Sequence, residues 1–349
     1  MPAGSLSRRI LGKTALNVSW PALGGAGIGA TETFNSYGVM KDEDAIDAIR
    51  AAAEGGINFI DTSPLYGDSE RRIGLAKRVL GDEIRDVHIQ TKCGTHPSLG
   101  GYDRDSIMRS IENSLNVMEI DFIDCLLMHD PSQDDLDVAF ATNGGLEAML
   151  DAKRQGMCKH IGVGVREHDV LARFMNTGEC DVVLSYLDYN LMNRSAEREI
   201  FPLAVELGVG IVNGGVFYNG LIAGEDPNVK IRQGNRPASL AKQKPVDLAT
   251  EMWTWCEERN VSLGTLALHW GLHETDPFMK NGTCVIGARN AEEVRGILDL
   301  MCGKRSPEDV EMRGEEIEEI LASFRMRFDE QVEAFDDHFY YDATAGPAG

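Results

Sequence analysis

INFIDTSPLYGDSE at 57–70, VHIQTKC at 87–93 and CLLMHDP at 125–131 are apolar runs that stop on an ionisable group. Asp61 and Tyr66 close the first, Lys92 the second and His129 the third. Each run reads as a short strand buried on both faces, the kind a parallel sheet uses. A side chain that follows such a run emerges at the edge of a core. A carboxylate, a phenol, an ammonium and an imidazole at one rim can move a proton beside a carbonyl, which points to an oxidoreductase.

The same alternation repeats outward from these stretches. Strand-like runs fall at 21–26, 57–60, 87–91, 122–128, 160–165, 181–186, 209–213 and 283–287. Amphipathic, helix-like stretches such as 42–54, 103–117, 145–155, 195–207 and 290–302 lie between them. Eight strands with a helix after each predict an α/β fold, a (β/α)8 TIM barrel with its active site at the C-terminal strand ends. No break in composition divides the chain, so residues 1–349 read as one barrel domain.

Further elements fall outside the eightfold count. Residues 6–20 are expected to form a hairpin that plugs the bottom of the barrel. The Gly/Pro/Lys-containing segment 214–245, after the seventh strand, is far longer than an ordinary loop, and such loops tend to be functional lids. Extra helices are expected at 247–259, 262–273 and 306–322, the last with Ser306 as cap, Pro307 in the first turn and Asp309 at the capping-box position. The acidic, aromatic tail 325–342 reads as a segment packed on the barrel wall or as a flap over the substrate.

Bulk properties narrow the function classes. With 34 basic and 56 acidic residues the net charge is −22, which argues against nucleic acid or an anionic membrane surface as the partner. The seven cysteines are scattered without a CxxC pair, and MPAGSLSRRIL has no apolar core of a leader. No run approaches a membrane span. A cytoplasmic enzyme with a small-molecule substrate is the expectation, with oligomeric state left open.

GINFIDTSPLYG at 56–67, followed by the Lys and His above, resembles the aldo-keto reductase superfamily. The likeness runs from LGKTALNVSW at 11–20 to IGARNAEEV at 286–294. It implies a (β/α)8 barrel that binds NAD(P) without a Rossmann domain, with Asp61, Tyr66, Lys92 and His129 as the catalytic set. A free phenol titrates near about 10, and a neighbouring ammonium favours the phenolate. Tyr66 is therefore the expected proton donor or acceptor and Lys92 its activator. Asp61 is expected to hold Lys92, and His129 to orient the substrate oxygen.

The departures from the family pattern bear on the cofactor. IGVGVRE at 161–167 offers Gly164 and Val165 where many members have Ser-Asn, and Tyr186 falls where a Gln is common. The position of the usual stacking aromatic falls near Gly214. Nicotinamide contacts are expected from Ser185, Tyr186, Gly214 and Gly215, with Phe217 beside them and Asp61 at the same rim. Gly287 opens a helix N-terminus suited to a phosphate. Arg289 lies where the family often holds the 2′-phosphate of NADP and Glu293 where the adenosine is met. An exposed Arg at a helix start is equally a solvated residue, so NAD and NADP both stand.

GGAGIG at 24–29 hints at a Rossmann turn, but TETFNSYG follows it where a helix is required. Gly25 is instead expected to let backbone approach the nicotinamide side. His88 is placed on the solvent or wall side of its strand, and Trp253, Trp255 and Trp270 are expected to pack helices on the barrel.

SYLDYN, NGGVFYNGL and DTSPLYGDSERRIG resemble the sugar-oxidising members, the L-galactose and L-fucose (D-threo-aldose) 1-dehydrogenases. That implies oxidation at C1 of a cyclic aldose to a lactone. A pyridoxal dehydrogenase, general carbonyl reduction and a dinucleotide-sensing regulatory subunit, as the potassium-channel β-subunits of the superfamily are, stand beside it. A metal-dependent hydrolase needs His and Asp ligands at several strand ends, and only His129 qualifies; no metal is expected.

Overall fold

The chain begins with an antiparallel hairpin, β1 (Ser7–Ile10) and β2 (Asn17–Trp20). Eight parallel strands then close into a barrel: β3 (Ala22–Gly24), β4 (Phe59–Asp61), β5 (His88–Cys93), β6 (Ile123–His129), β7 (Cys158–Gly164), β8 (Val182–Tyr186), β9 (Gly210–Gly214) and β10 (Gly282–Gly287), which returns to β3. The computed structural model describes residues 6–34, 38–232, 243–272, 278–301 and 314–335. All eight expected strands are present, with ends displaced by no more than two residues.

Helices follow every barrel strand. They are α1 (Gly25–Ile28) and α2 (Asp42–Glu54) after β3, α3 (Ser69–Leu80) after β4 and α4 (Arg104–Met118) after β5. After β6 come α5 (Gln133–Phe140) and α6 (Gly145–Arg154), then α7 (His168–Met175) after β7. Next are α8 (Ser195–Glu199) and α9 (Phe201–Glu206), then α10 (Pro227–Arg232), α11 (Gln243–Glu257) and α12 (Leu263–Gly271), and last α13 (Ala291–Met301) and α14 (Gly314–Glu333). The outward strand faces and the helix stripes bury Ile60, Ile89, Leu126, Met128, Ile161 and Val163 between the two layers. Among the described residues no helix is long and apolar enough to cross a membrane.

The inner faces follow the period of two that a strand imposes. Phe59, Cys125, Leu127, Val182, Leu184 and Val212 fill the lumen together with Leu11 and Val18 of the hairpin. Leu11 lies under the start of β9, and the Lys13 amide donates to the Gly208 carbonyl at 2.7 Å. The hairpin thus stops the N-terminal end of the barrel, as expected.

Several expectations need correction. The stretch 195–207 is two short helices, because Pro202 lacks the amide that would continue the first and Ile200 leaves helical geometry at φ −122°. Residues 25 and 26, expected to end the first barrel strand, instead begin the short helical turn α1. The segment 214–245 is not continuous loop, since it carries α10 and the start of α11; its residues 233–242 lie outside the described ones. Residues 325–333 continue α14, so this part of the tail is helical. The cap expected at 306–309 and residues 336–342 lie outside the described residues.

Helix α14 buries Phe324, Phe328 and Val332 in a cluster with residues of α11 and α12. Trp255 meets Phe324 edge-on with ring centroids 5.4 Å apart, so Trp253 and Trp255 serve this second apolar cluster. Trp270 does reach the barrel side, with its ring 4.9 Å from that of Tyr189. The cluster includes Leu187, Leu191 and Tyr218 from the loops after β8 and β9, which ties it to the C-terminal rim.

Candidate active site

The lumen ladders run upward into polar residues at their C-terminal ends. Phe59 is followed by Asp61, Gln90 by Lys92, Leu127 by His129 and Leu184 by Tyr186, each two positions on and therefore on the same inward face. Register joins them laterally, with Gly287 opposite Gly24, Gly24 opposite Asp61 and Asp61 opposite Gln90. Asp61, Lys92 and His129 thus meet at one rim, above Phe59 and Leu127 in the first and third ladders and above the Gln90 amide in the second.

Lys92, 1% exposed, donates to both Asp61 oxygens at 2.8 and 2.9 Å and to the Thr62 carbonyl at 2.7 Å. Asp61 is 4% exposed and also accepts from the Gln90 amide at 2.7 Å. A buried ion pair costs desolvation that its attraction barely repays. A stability role alone does not account for one at the mouth of an apolar barrel. The Lys92 ammonium lies 4.6 Å from the centre of the Tyr66 ring, so the phenol sits in its field.

Tyr66 comes from the loop between β4 and α3. Its amide donates to the Ser63 carbonyl and its carbonyl accepts from the Ser69 amide, both at 3.0 Å. Helix α1 fixes this loop from behind. A Cβ on Gly29 would run into the Tyr66 carbonyl, and one on Gly25 would stand 2.5 Å from the Ser69 hydroxyl and 2.8 Å from the Asp61 carbonyl. Both glycines are thus required where chain meets chain behind the Tyr66 loop.

The His129 ring meets Tyr66 edge to face, with centroids 5.9 Å apart. Its Nδ1 lies 2.5 Å from the Thr95 hydroxyl and 3.2 Å from that of Ser63. Burial, with Lys92 adding to it, pushes its pKa well below the usual histidine range. The imidazole is therefore neutral at ordinary pH, with Nε2 directed away from the two hydroxyls.

The remaining candidates distribute around the same rim. The Ser185 hydroxyl, buried, donates to Asp188 at 3.3 Å, and the Tyr186 phenol donates to Asp130 at 3.3 Å. Gly214 ends β9 opposite Tyr186, Gly215 follows at φ +76°, and Phe217 is half-buried beyond them. Gly287 is exposed, with no atom within 4 Å of the place a Cβ would take. Beside it Glu293 accepts from both the backbone amide and the Nε of Arg289 at 2.8 Å. His88, at the start of β5, pairs with Asp124 at 3.2 Å.

Sequence reading missed four groups: Gln90, Ser63, Thr95 and Asp130. Gln90 could have been found from its spacing of two before Lys92. Nothing local marks the other three. Arg166, buried at the end of β7, donates to Asp188 at 2.8 Å and forms a further buried pair on this rim.

The family model described as Aldo/keto reductase family matches residues 26–322. The L-galactose dehydrogenase of Arabidopsis thaliana is 30% identical over 224 residues, 63% of this chain and 68% of that relative. The D-threo-aldose 1-dehydrogenase of a Pseudomonas species is 27% identical over 309 residues, 80% of this chain and 88% of that relative. Among solved structures, an aldo-keto reductase of Bacillus halodurans in its holo form superposes with a TM-score of 0.66 at 21% identity, covering 91% of this chain and 96% of that one. That last likeness speaks for the fold alone. An eight-stranded barrel, a buried Asp61–Lys92 pair beneath Tyr66 and a match spanning most of the sequence place this chain in the aldo/keto reductase family, as an NAD(P)-dependent oxidoreductase.

Proposed function

We propose that the protein oxidises the C1 hydroxyl of a cyclic aldose of the L-fucose, L-galactose or D-arabinose type to the lactone, with Tyr66 as general acid/base. The observation that carries this reading is the Lys92 ammonium, clamped by Asp61 and Thr62, lying 4.6 Å from the Tyr66 ring centre beside a neutral His129. The kinship with two sugar dehydrogenases supports the substrate class.

Each residue then has a part. Tyr66 takes the hydroxyl proton in oxidation and returns it in carbonyl reduction, with Lys92 stabilising negative charge on the phenolic oxygen. Asp61, itself held by Gln90, keeps Lys92 charged and still. Thr95 and Ser63 hold Nδ1 of His129, which leaves Nε2 to hydrogen-bond the reacting oxygen.

A nicotinamide dinucleotide fits this rim at its phosphate end, where exposed Gly287 leaves open room beside the N-terminus of α13. When bound it supplies the hydride acceptor or donor. We assign Gly214, Gly215, Phe217 and Ser185 to its nicotinamide side, with Gly25 and Asp61 at the same edge. Gly287, Arg289 and Glu293 take the phosphate and adenosine side. Glu293 already occupies the donors of Arg289 that a 2′-phosphate needs, which favours NAD over NADP. Tyr186, which reaches Asp130, has a different role, argued below.

The test is Tyr66→Phe, assayed by nicotinamide absorbance over a panel of L-fucose, L-galactose, D-arabinose and pyridoxal with both dinucleotides. Turnover should vanish while dinucleotide binding stays. Near-normal turnover in the variant removes the mechanism. Tight binding without turnover of any sugar or aldehyde by the wild type means a sensor instead.

A further inference from the structure

Asp130 sits where the mechanism above has no use for it. It directly follows His129 and holds a positive φ of 44°, a conformation non-glycine residues rarely adopt. Its backbone is tied on both sides: the amide donates to the Gly164 carbonyl at 2.8 Å and the carbonyl accepts from the Tyr102 phenol at 3.2 Å. The side chain is 14% exposed. One oxygen accepts from Tyr186 at 3.3 Å, and the other lies 3.5 Å from Nε2 of His129.

A carboxyl buried this far ordinarily caps a helix or pairs with a cation. Asp130 does neither: the next helix is capped by Ser132 and Asp135, and its nearest ion-pair partner is a neutral imidazole. Two long contacts leave half of its four acceptor positions unused. Burial pushes its pKa up to about 7, so the fold keeps this group at a cost. Costly, strained polar groups at a rim point to a ligand.

The geometry says which ligand. Nε2 of His129 is the place for the reacting oxygen, and the free edge of Asp130 is 3.5 Å from it. Oxygens on neighbouring carbons of a diol are spaced by a similar distance. We propose that Asp130, steadied by Tyr186, is the specificity-determining residue of this site. It accepts a hydrogen bond from the hydroxyl on the carbon next to the reacting one and so selects α-hydroxylated substrates. The inference rests on the reading of Tyr66 and His129 as the pair that holds the reacting oxygen.

The test compares substrates that differ only in that hydroxyl. The holoenzyme and its Asp130→Asn, Asp130→Ala and Tyr186→Phe variants are assayed in two pairs. D-arabinose is set against 2-deoxy-D-ribose in oxidation, and lactaldehyde against propionaldehyde in reduction. The readout is the ratio of kcat/KM within each pair, which a merely structural role would not move. The wild type should favour the hydroxylated member by about ten- to a hundredfold, the worth of one hydrogen bond to an ionised acceptor. Asp130→Ala should bring the ratio close to unity, Asp130→Asn should lower it by about tenfold, and Tyr186→Phe by less. If no aldose turns over but the lactaldehyde ratio still collapses in the variants, the aldose reading falls and this one stands. Ratios that stay at the wild-type value while both members of a pair slow together overturn it, as does a wild type indifferent to the hydroxyl.

Discussion

Replacing Asp130 by Asn should stabilise the folded protein, and more so as pH rises. Burial lifts the carboxyl from 3.8 to about 7, and its side chain is only 14% exposed. A displacement of that size corresponds to about 4 kcal/mol at most. The sign follows from the protons. Between the two values the folded state still holds a proton that the unfolded chain has released, so stability falls through that window and levels off above about pH 7. Asn has the same shape, carries no titrating proton and tolerates the positive φ. Urea unfolding of the cofactor-free protein at about pH 5 and about pH 8 gives the comparison. The advantage of the variant should widen by about 2–3 kcal/mol between those conditions. A difference that does not change with pH, or a wild type that is the more stable at high pH, refutes the reasoning.

Lys92→Met leaves Asp61 buried without its cation and should cost about 3–5 kcal/mol in denaturant unfolding; unchanged stability would contradict the buried pair. Glu293→Gln releases Arg289 and removes a negative charge beside the expected 2′-phosphate position. The Kd for NADPH should fall about tenfold relative to that for NADH, read by fluorescence quenching, and no relative change would remove the NAD preference. Phe328→Ala opens a cavity between α11 and α14 and should cost about 3–5 kcal/mol by the same unfolding assay; a loss under about 1 kcal/mol would mean the cluster is loosely packed.

The barrel is legible in the chain because strands buried on both faces are continuous apolar runs, and CLLMHDP and VHIQTKC announce themselves. Asp61, Lys92 and His129 are legible for the same reason, as polar stops on such runs. Gln90 is hidden, since one amide inside a strand reads as an interruption until its spacing from Lys92 is counted. Asp130 before Pro131 reads as a turn residue. Its contact with Tyr186 joins positions 56 apart, which no local pattern encodes. The helical character of the tail is present in the spacing of Phe324, Phe328 and Val332, but the flanking acids draw the eye to charge. The cofactor side is the least legible, because Gly25 and Gly214 carry no side chain whose chemistry names a ligand, and each also meets neighbouring chain.

The hairpin beneath the barrel has a consequence for traffic. With Leu11 and Val18 stopping the base and Phe59, Leu127 and Leu184 filling the shaft, the described residues close the barrel below the site and leave its approach to the C-terminal rim. Whatever meets at Tyr66 must arrive and depart across the same lip. The occupant seated deeper has to come first and leave last, and nothing formed there drains through the floor.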